Sequence, residues 1–146
     1  MNKKIHLYRG VVLLTLILLL MGASGCVDDV LPDNDTTMLQ YVPEVHDIPV
    51  EQAKVMIDDG DVFILDLRNA GKYRAGHIEG ATLIPYSDLE SRLDEVPKDK
   101  HLLVYCRTGF HSATAADILI EEGYMDVYNM LGGFNSWKSK GYPCVE

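Results

Sequence analysis

Short apolar segments alternate with segments of helical periodicity along the chain from residue 50 onward. Nearly uninterrupted apolar runs predict strands at residues 62–67, 82–84, 102–105 and 127–130. Apolar positions at helical spacing predict helices at residues 50–58, 87–93 and 112–122, and a short last helix that carries Trp137. Strands that alternate with helices pair in parallel through right-handed crossovers. The pattern therefore predicts an α/β three-layer sandwich, in which helices flank a central, mostly parallel sheet.

The predicted helices carry signals at their ends. Gly60 and Gly123 follow the first and third helices, where glycine is favoured because it adopts the left-handed conformation without strain. Ser87, followed three residues later by Glu90, is a capping-box pair. The second helix is therefore predicted to begin with Ser87 as its cap.

The first 25 residues have the order of an export signal. Three basic residues come first, an apolar run at residues 11–21 is interrupted only by Thr15, and small residues at 22–25 lead to Cys26. The apolar run is shorter than the roughly 20 residues that cross the hydrocarbon core of a bilayer. A permanent spanning helix is therefore the weaker interpretation.

Residues 23–26, Ala-Ser-Gly-Cys, resemble a lipobox, the signal ending after which the cysteine is acylated and becomes the new N-terminus. Ala23 departs from the usual leucine. We expect a signal peptide at residues 1–25, cleaved before a lipid-anchored Cys26, and a protein held outside the cytoplasm at the cell membrane by its N-terminus. A plain cleaved secretory signal and an uncleaved anchor are the alternatives.

Residues 26–43 are rich in aspartate and other polar residues, and this composition is too polar to form a core. They predict an acidic flexible tether ahead of a folded domain at residues 44–146. The formal net charge of the chain is −9, and removing residues 1–25 takes away three positive charges and no negative ones. So acidic a protein is a poor partner for nucleic acid, and we interpret the acidic surface as a source of solubility.

The chain has three cysteines, an odd number that leaves at least one thiol outside any internal disulfide. Cys106 and Cys144 could pair, but their contexts differ. Cys106 follows an apolar run and enters a turn, whereas Cys144 lies close to the C-terminus. We expect Cys144 to have no part in the chemistry.

Cys106 lies where a predicted strand ends and a tight turn leads into the next helix. The backbone N–H groups of such a turn point inward and favour negative charge. The thiol is therefore expected to have a pKa below its usual value of about 8.5 and to form the nucleophilic thiolate near neutral pH. Gly109 permits the bend, Arg107 adds a positive charge, and Thr108 and Ser112 add hydroxyl groups. These polar neighbours indicate a reactive thiol rather than a small buried hydrophobe.

Three motifs resemble those of rhodanese domains. Residues 106–112, Cys-Arg-Thr-Gly-Phe-His-Ser, resemble the active loop of that family, commonly Cys-Arg-x-Gly-x-Arg-Ser. Residues 66–68, Asp-Leu-Arg, and 76–81, Gly-His-Ile-Glu-Gly-Ala, match its Asp-x-Arg and Gly-His-Ile-x-Gly-Ala segments. Residues 131–134, Trp137 and residues 141–143 match the family's ending. The resemblance covers residues 44–146.

The resemblance implies a role for each matching residue. Cys106 corresponds to the catalytic nucleophile, and Asp66, with Arg68 beside it, corresponds to the buried acid that supports the active loop. The implied substrate-binding residues are Arg107, Thr108, Gly109, Phe110, His111 and Ser112.

Two residues depart from the family pattern. Lys72 replaces an acidic residue, and we expect this to alter only a surface contact. His111 replaces an arginine, so that a permanent charge becomes a titratable one. Because of this change, anionic substrates such as thiosulfate are expected to bind more weakly.

The resemblance implies a sulfurtransferase that works by double displacement. Cys106 thiolate takes the outer sulfur of thiosulfate, a polysulfide or a similar donor to form a persulfide, and a thiol or cyanide then removes that sulfur. No metal or organic cofactor is implied. The alternative is a sulfur-carrier or redox-sensing module that delivers its persulfide to a membrane partner without being an enzyme.

A cysteine-dependent phosphatase or arsenate reductase is a third hypothesis. Such enzymes clamp the oxyanion with an arginine six positions after the cysteine, where this chain has Ser112. The loop is also one residue shorter than in the cell-cycle phosphatases of this fold. Both features disfavour oxyanion hydrolysis.

Overall fold

The computed structural model describes residues 42–146, in which five strands form one sheet. The order across the sheet is β1-β5-β4-β2-β3, and every neighbouring pair is parallel. The strands are β1 (Glu44–Ile48), β2 (Val62–Asp66), β3 (Thr82–Leu83), β4 (His101–Tyr105) and β5 (Asp126–Met130). The predicted central parallel sheet is confirmed, and β4 lies at its middle.

Helices cover both faces of this sheet and confirm the predicted three layers. They are α1 (Val50–Asp59), α2 (Ala70–Arg74), α3 (Phe110–Glu121) and α4 (Gly133–Ser139), with a 3₁₀ segment over Tyr86–Glu95. Apolar residues of α1 and α4 pack on one face of the sheet, and those of α3 and the 3₁₀ segment pack on the other.

Alternate residues of β4 divide between these two cores because successive side chains of a strand point to opposite faces. Leu102, Val104 and Cys106 belong to the core under α3. Leu103 and Tyr105 belong to the core under α1 and α4. The sulfur of Cys106 therefore lies on the α3 face, at the carboxyl edge of the sheet where ligands of open α/β folds bind.

The predicted end of α1 is confirmed at Gly60, whose φ is +80° and whose N–H donates to the carbonyl of Ile57. The third predicted helix begins earlier than expected, at Phe110 rather than Ser112. Gly109 has a φ of +92°, a conformation that lets the loop turn directly into the helix.

The predicted capping box at Ser87 is wrong. The Ser87 hydroxyl donates to the carboxylate of Asp88 at 2.8 Å and caps no backbone group. The N–H of Tyr86 donates to the carbonyl of Leu67 at 3.1 Å, and the N–H of Asp88 donates to the carbonyl of Pro85 at 2.8 Å. The first turn is therefore fixed by the sheet edge and by Pro85, and Ser87 lies inside it.

Two elements were not predicted. β1 is an edge strand whose Glu44, His46 and Asp47 interrupt any apolar pattern, and α2 is only five residues long. The predicted signal peptide, the lipid-anchored Cys26 and the tether up to residue 41 lie outside the described residues and stay predictions. Within residues 42–146, no helix is both long enough and apolar enough to cross a membrane.

Candidate active site

Cys106 lies in the turn between β4 and α3 and is 3% exposed. Its Sγ accepts a hydrogen bond from the N–H of Gly109 at 3.2 Å, and the Ser112 hydroxyl lies 3.6 Å from it. Burial raises the pKa of the Cys106 thiol. Hydrogen bonds from the N–H groups of Ser112, Thr108 and Gly109 lower it, and the pKa of the thiol lies below its usual value overall. The turn therefore favours the thiolate, the form that acts as a nucleophile.

The start of α4 is hydrogen-bonded to this turn. The N–H of Phe134 donates to the carbonyl of Cys106 at 2.8 Å, and the N–H of Asn135 donates to the carbonyl of Arg107 at 3.0 Å. These bonds fix the orientation of the two loop carbonyls. The family motif at residues 131–134 thus shapes the loop, a role that its sequence alone did not reveal.

Gly133 allows this close approach between α4 and the loop. Its φ is +55°, and a Cβ atom there would lie 2.4 Å from the carbonyl oxygen of Cys106 and 2.8 Å from the backbone nitrogen of Thr108. These are backbone atoms that cannot rotate away. Gly133 is therefore required for the observed path of the loop. Its signs in the sequence were two adjacent glycines after a predicted strand and the match of residues 131–134 to the family's ending.

A cavity of about 490 Å³ opens above Cys106. Of the loop residues predicted to bind substrate, Arg107, Thr108, Phe110 and His111 line it. Gly109 lies behind the sulfur and Ser112 is fully buried, so neither lines this cavity. The loop thus has two kinds of residue. Four side chains line the cavity, whereas Gly109 and Ser112 lie against the sulfur on its protein side.

Positive charge surrounds the mouth of the cavity. Lys72 and Arg107 line it, together with the titratable His111, whose ring stacks on Tyr86 with the centroids 5.1 Å apart. Among the described residues, no carboxylate lies within 4.0 Å of a Lys72 or Arg107 nitrogen. Lys72 had been expected to matter only to a surface contact, and its position at the mouth was missed because α2 was not predicted. On an acidic protein this local positive charge favours the approach of anions.

Asp66 and Arg68 form a buried ion pair after β2. The Arg68 Nε lies 2.9 Å from one carboxylate oxygen of Asp66, and its Nη2 donates to the other. The hydroxyl of Tyr105 also donates to Asp66, at 2.7 Å. Burial, followed by the Asp66 carboxylate, raises the pKa of Tyr105, which keeps that hydroxyl a donor. Asp66 thus contacts the residue before Cys106 rather than the loop itself, while Arg68 lines the cavity.

Asn129, on β5, is a buried polar residue that the sequence did not single out. It accepts a hydrogen bond from Ser112 at 2.7 Å and donates to Asp47 at 2.7 Å. An asparagine in a mostly apolar strand was the available signal, since buried polar groups need specific partners.

The second described thiol lies apart from this site. Cys144 is exposed and does not line the cavity above Cys106, and both thiols are free. In the described part of the chain, no group of three or more histidine, cysteine, aspartate and glutamate side chains is placed to hold a metal ion.

A parallel α/β domain with a cysteine loop at the carboxyl edge of its sheet is the class that the fold and site define. The family model for the rhodanese-like domain matches residues 49–140. The chain therefore belongs to the rhodanese-like domain family, as its motifs had implied.

Individual relatives and solved structures are similar to this chain. The chain is 35% identical over 99 residues to the thiosulfate sulfurtransferase GlpE of Pseudoalteromonas translucida. The aligned residues make up 68% of this chain and 94% of the relative. A rhodanese-related protein from Thermoplasma volcanium has a TM-score of 0.62 and 30% identity, covering 68% of this chain and 97% of that one. A possible tyrosine phosphatase from Rhodopseudomonas palustris has a TM-score of 0.64 and 27% identity, and the match covers 69% of this chain and 85% of that one. The sequence relatives support a rhodanese-type sulfurtransferase.

Proposed function

We propose that this protein is a sulfurtransferase that carries sulfane sulfur as a persulfide on Cys106. The observation that carries the proposal is the Cys106 thiol itself, held by inward-pointing N–H groups beneath a cavity with Lys72 and Arg107 at its mouth. Small anionic donors such as thiosulfate, and polysulfides, match this charge. The Pseudoalteromonas relative is named a thiosulfate sulfurtransferase, an activity of the same kind.

The proposed reaction has two displacements. Cys106 thiolate attacks the outer sulfur of thiosulfate, the S–S bond of the donor breaks, and sulfite leaves with the electron pair. The persulfide on Cys106 then presents its outer sulfur to the cavity. Cyanide or a thiolate attacks that sulfur, forms thiocyanate or a new persulfide, and returns Cys106 as thiolate. The positive charges at the mouth stabilise the anions that enter and leave.

The roles of the remaining site residues follow from their positions. Arg107, Thr108, Phe110 and His111 contact the substrate from the cavity wall. Gly109 and Ser112 act on the sulfur from behind, and Asp66 and Arg68 support the strand ends that position the loop. Every step runs through the protein's own groups, and the proposed reaction uses no cofactor.

Oxyanion hydrolysis is disfavoured by the geometry at Ser112. This residue is fully buried and its hydroxyl donates to Asn129, so the position that would carry the clamping arginine of a phosphatase faces the protein interior. The likeness to the possible tyrosine phosphatase from Rhodopseudomonas palustris concerns the fold, which unrelated chemistries share.

The non-enzymatic alternative has one observation in its favour. Phe110, at the mouth of the cavity, is 75% exposed, and an exposed aromatic side chain beside a reactive group can contact a protein partner. A carrier or redox sensor would load a persulfide but would pass it to small acceptors slowly. The rate of thiocyanate formation therefore separates the two functions.

Wild-type protein incubated with thiosulfate is expected to gain one sulfur atom on Cys106 and none on Cys144, and to form thiocyanate when cyanide is added. Of the two cysteines that the structure describes, Cys106 alone has donors arranged around its sulfur, and Cys144 serves as the matched internal control. Mass spectrometry of the separated cysteine peptides locates the sulfur. Sulfur on Cys144 alone, or unmodified Cys106 with continuing turnover, would refute the mechanism.

We further propose that the protein is exported and anchored to the cell membrane through an acylated Cys26, ahead of an acidic tether. The supports are the basic start, the apolar run at residues 11–21 and the lipobox-like residues 23–26.

Protein made in its native host is expected to fractionate with membranes, and Cys26→Ser is expected to release it to the soluble fraction or to leave the signal uncleaved. Fractionation with intact mass measurement checks both results. Soluble mature protein with an unmodified Cys26 would contradict the anchor.

A further inference from the structure

A chain of hydrogen bonds connects the sulfur to the edge strand β1. Ser112 Oγ lies 2.7 Å from Asn129 Oδ1, and Asn129 Nδ2 lies 2.7 Å from Asp47 Oδ1. Asp47 and Asn129 are register partners on β1 and β5. Asn129 is 1% exposed and Ser112 is 0% exposed, so neither exchanges its partner for water. The sulfur-transfer steps proposed above do not use Asp47 or Asn129.

Asp47 fixes the direction of every bond in this chain. A carboxylate only accepts hydrogen bonds, so the amide NH₂ of Asn129 faces Asp47 and its carbonyl oxygen faces Ser112. That oxygen also only accepts, so the Ser112 hydroxyl donates to it. A hydroxyl has one proton. The proton given to Asn129 is not available to Cys106, and a lone pair of Ser112 Oγ faces the sulfur at 3.6 Å.

This orientation acts on the ionisation of Cys106. A lone pair facing the sulfur suits the neutral thiol, whose S–H can donate to it, and opposes the thiolate, which needs donors. We propose that Asp47 and Asn129 are positioning residues that hold the Ser112 proton away from Cys106 and so restrain thiolate formation. The N–H groups of the loop act in the opposite sense. Because the Ser112 lone pair opposes the loop N–H groups, the Cys106 thiolate is stabilised only in part. It therefore stays more basic, and more nucleophilic, than a fully stabilised thiolate.

The unfavourable contact with the Ser112 lone pair is weaker in the Cys106 persulfide than in the thiolate. In a Cys106 persulfide the sulfur next to Ser112 is divalent and uncharged, and the negative charge lies on the outer sulfur. The lone pair of Ser112 then faces no anion. This step deepens the proposed function and rests on it: the chain of three residues disfavours the unloaded thiolate and so favours acceptance of sulfur.

The test is the pH dependence of Cys106 alkylation by iodoacetamide in the full-length protein, measured on the Cys106 peptide by mass spectrometry. In Asp47→Asn the Asn129 amide can turn, which frees the Ser112 proton for the sulfur. The midpoint is expected to move to lower pH, with about fivefold more thiolate below the midpoint, the effect of one ordinary hydrogen bond. Asp47→Ala is expected to give a shift in the same direction.

Two controls separate this effect from the loss of a negative charge. In a Ser112→Ala background, Asp47→Asn is expected to leave the midpoint unchanged because no hydroxyl can be redirected. Glu44→Gln, exposed on the same strand, removes an equal charge at a position outside the hydrogen-bond chain and is also expected to cause no shift. The charged or titratable groups around Cys106 on the other elements, Arg68, Lys72, Arg107 and His111, are the same in every variant.

An equal shift with alanine at position 112 would overturn the inference, and so would unshifted profiles for both Asp47 variants. Alkylation needs no sulfur donor, so the result stands apart from turnover. A predicted shift in a protein that accepted no sulfur would reject the proposed function and leave the positioning roles in place. Normal sulfur transfer with unshifted profiles would reject the positioning roles and leave the proposed function in place.

Discussion

Replacing Gly133 with alanine is expected to abolish sulfur transfer and to destabilise the domain. The new Cβ would lie 2.4 Å from the Cys106 carbonyl oxygen, so the active loop or α4 must move. A shift of about 1 Å at a reacting group costs roughly 100-fold in rate. The positive φ of this position adds about 1–2 kcal/mol for a residue with a side chain. Thiocyanate formation and the Tm of the variant measure the two effects.

Gly141→Ala is the matched control for this experiment. Gly141 has a φ of +70°, close to that of Gly133, but a Cβ there would meet no atom within 4 Å. It should lose about the same conformational energy and keep its turnover. If Gly133→Ala were as active as Gly141→Ala, the close approach of α4 would not determine the shape of the loop.

Replacing Asp66 with asparagine is expected to lower the free energy of unfolding by about 3–5 kcal/mol, because it leaves the Arg68 guanidinium buried without a counter-charge. Arg68 is 7% exposed and Asp66 is 0% exposed. The change also weakens the bonds from Arg68 and Tyr105 that Asp66 accepts. Urea unfolding followed by circular dichroism measures the loss.

Two further variants test the cause. Asp66→Asn combined with Arg68→Met should recover part of the lost stability, since removing both charges avoids an unpaired buried one. Glu95→Gln breaks an exposed pair with Arg92 and should change stability little. An Asp66→Asn protein as stable as Glu95→Gln would show that the buried pair does not support the strand ends.

The fold and the thiol were predictable because their signals are local. Apolar runs identified four strands, and a cysteine between a strand and a glycine turn identified the loop beneath the cavity. β1 has no comparable signal, since an edge strand with Glu44, His46 and Asp47 gains its place from pairing with β5. The capping box at Ser87 failed because a long-range hydrogen bond from the Tyr86 N–H to the Leu67 carbonyl sets the start of that segment.

Asp66 and Arg68 were predicted from their motif, but the other residues around the site were not predictable because their placement depends on long-range contacts. Asp47 and Asn129 are far apart in the sequence and meet only because β1 pairs with β5. Gly133 looks like any turn glycine until α4 is placed against the loop. Lys72 reaches the cavity through α2, a helix too short to leave a periodic pattern. Sequence patterns identify the candidate reacting residue more easily than they identify the residues that shape its surroundings.

The contact between α4 and the active loop also sets an order of events during biosynthesis. Cys106 leaves the ribosome before Phe134 and Asn135, whose N–H groups hold the loop carbonyls in place. While the last strand and helix are missing, the loop lacks these two supports and Ser112 lacks Asn129. The nascent chain therefore carries a Cys106 thiol whose hydrogen-bonded surroundings are incomplete, and they are completed only when the C-terminal segment docks.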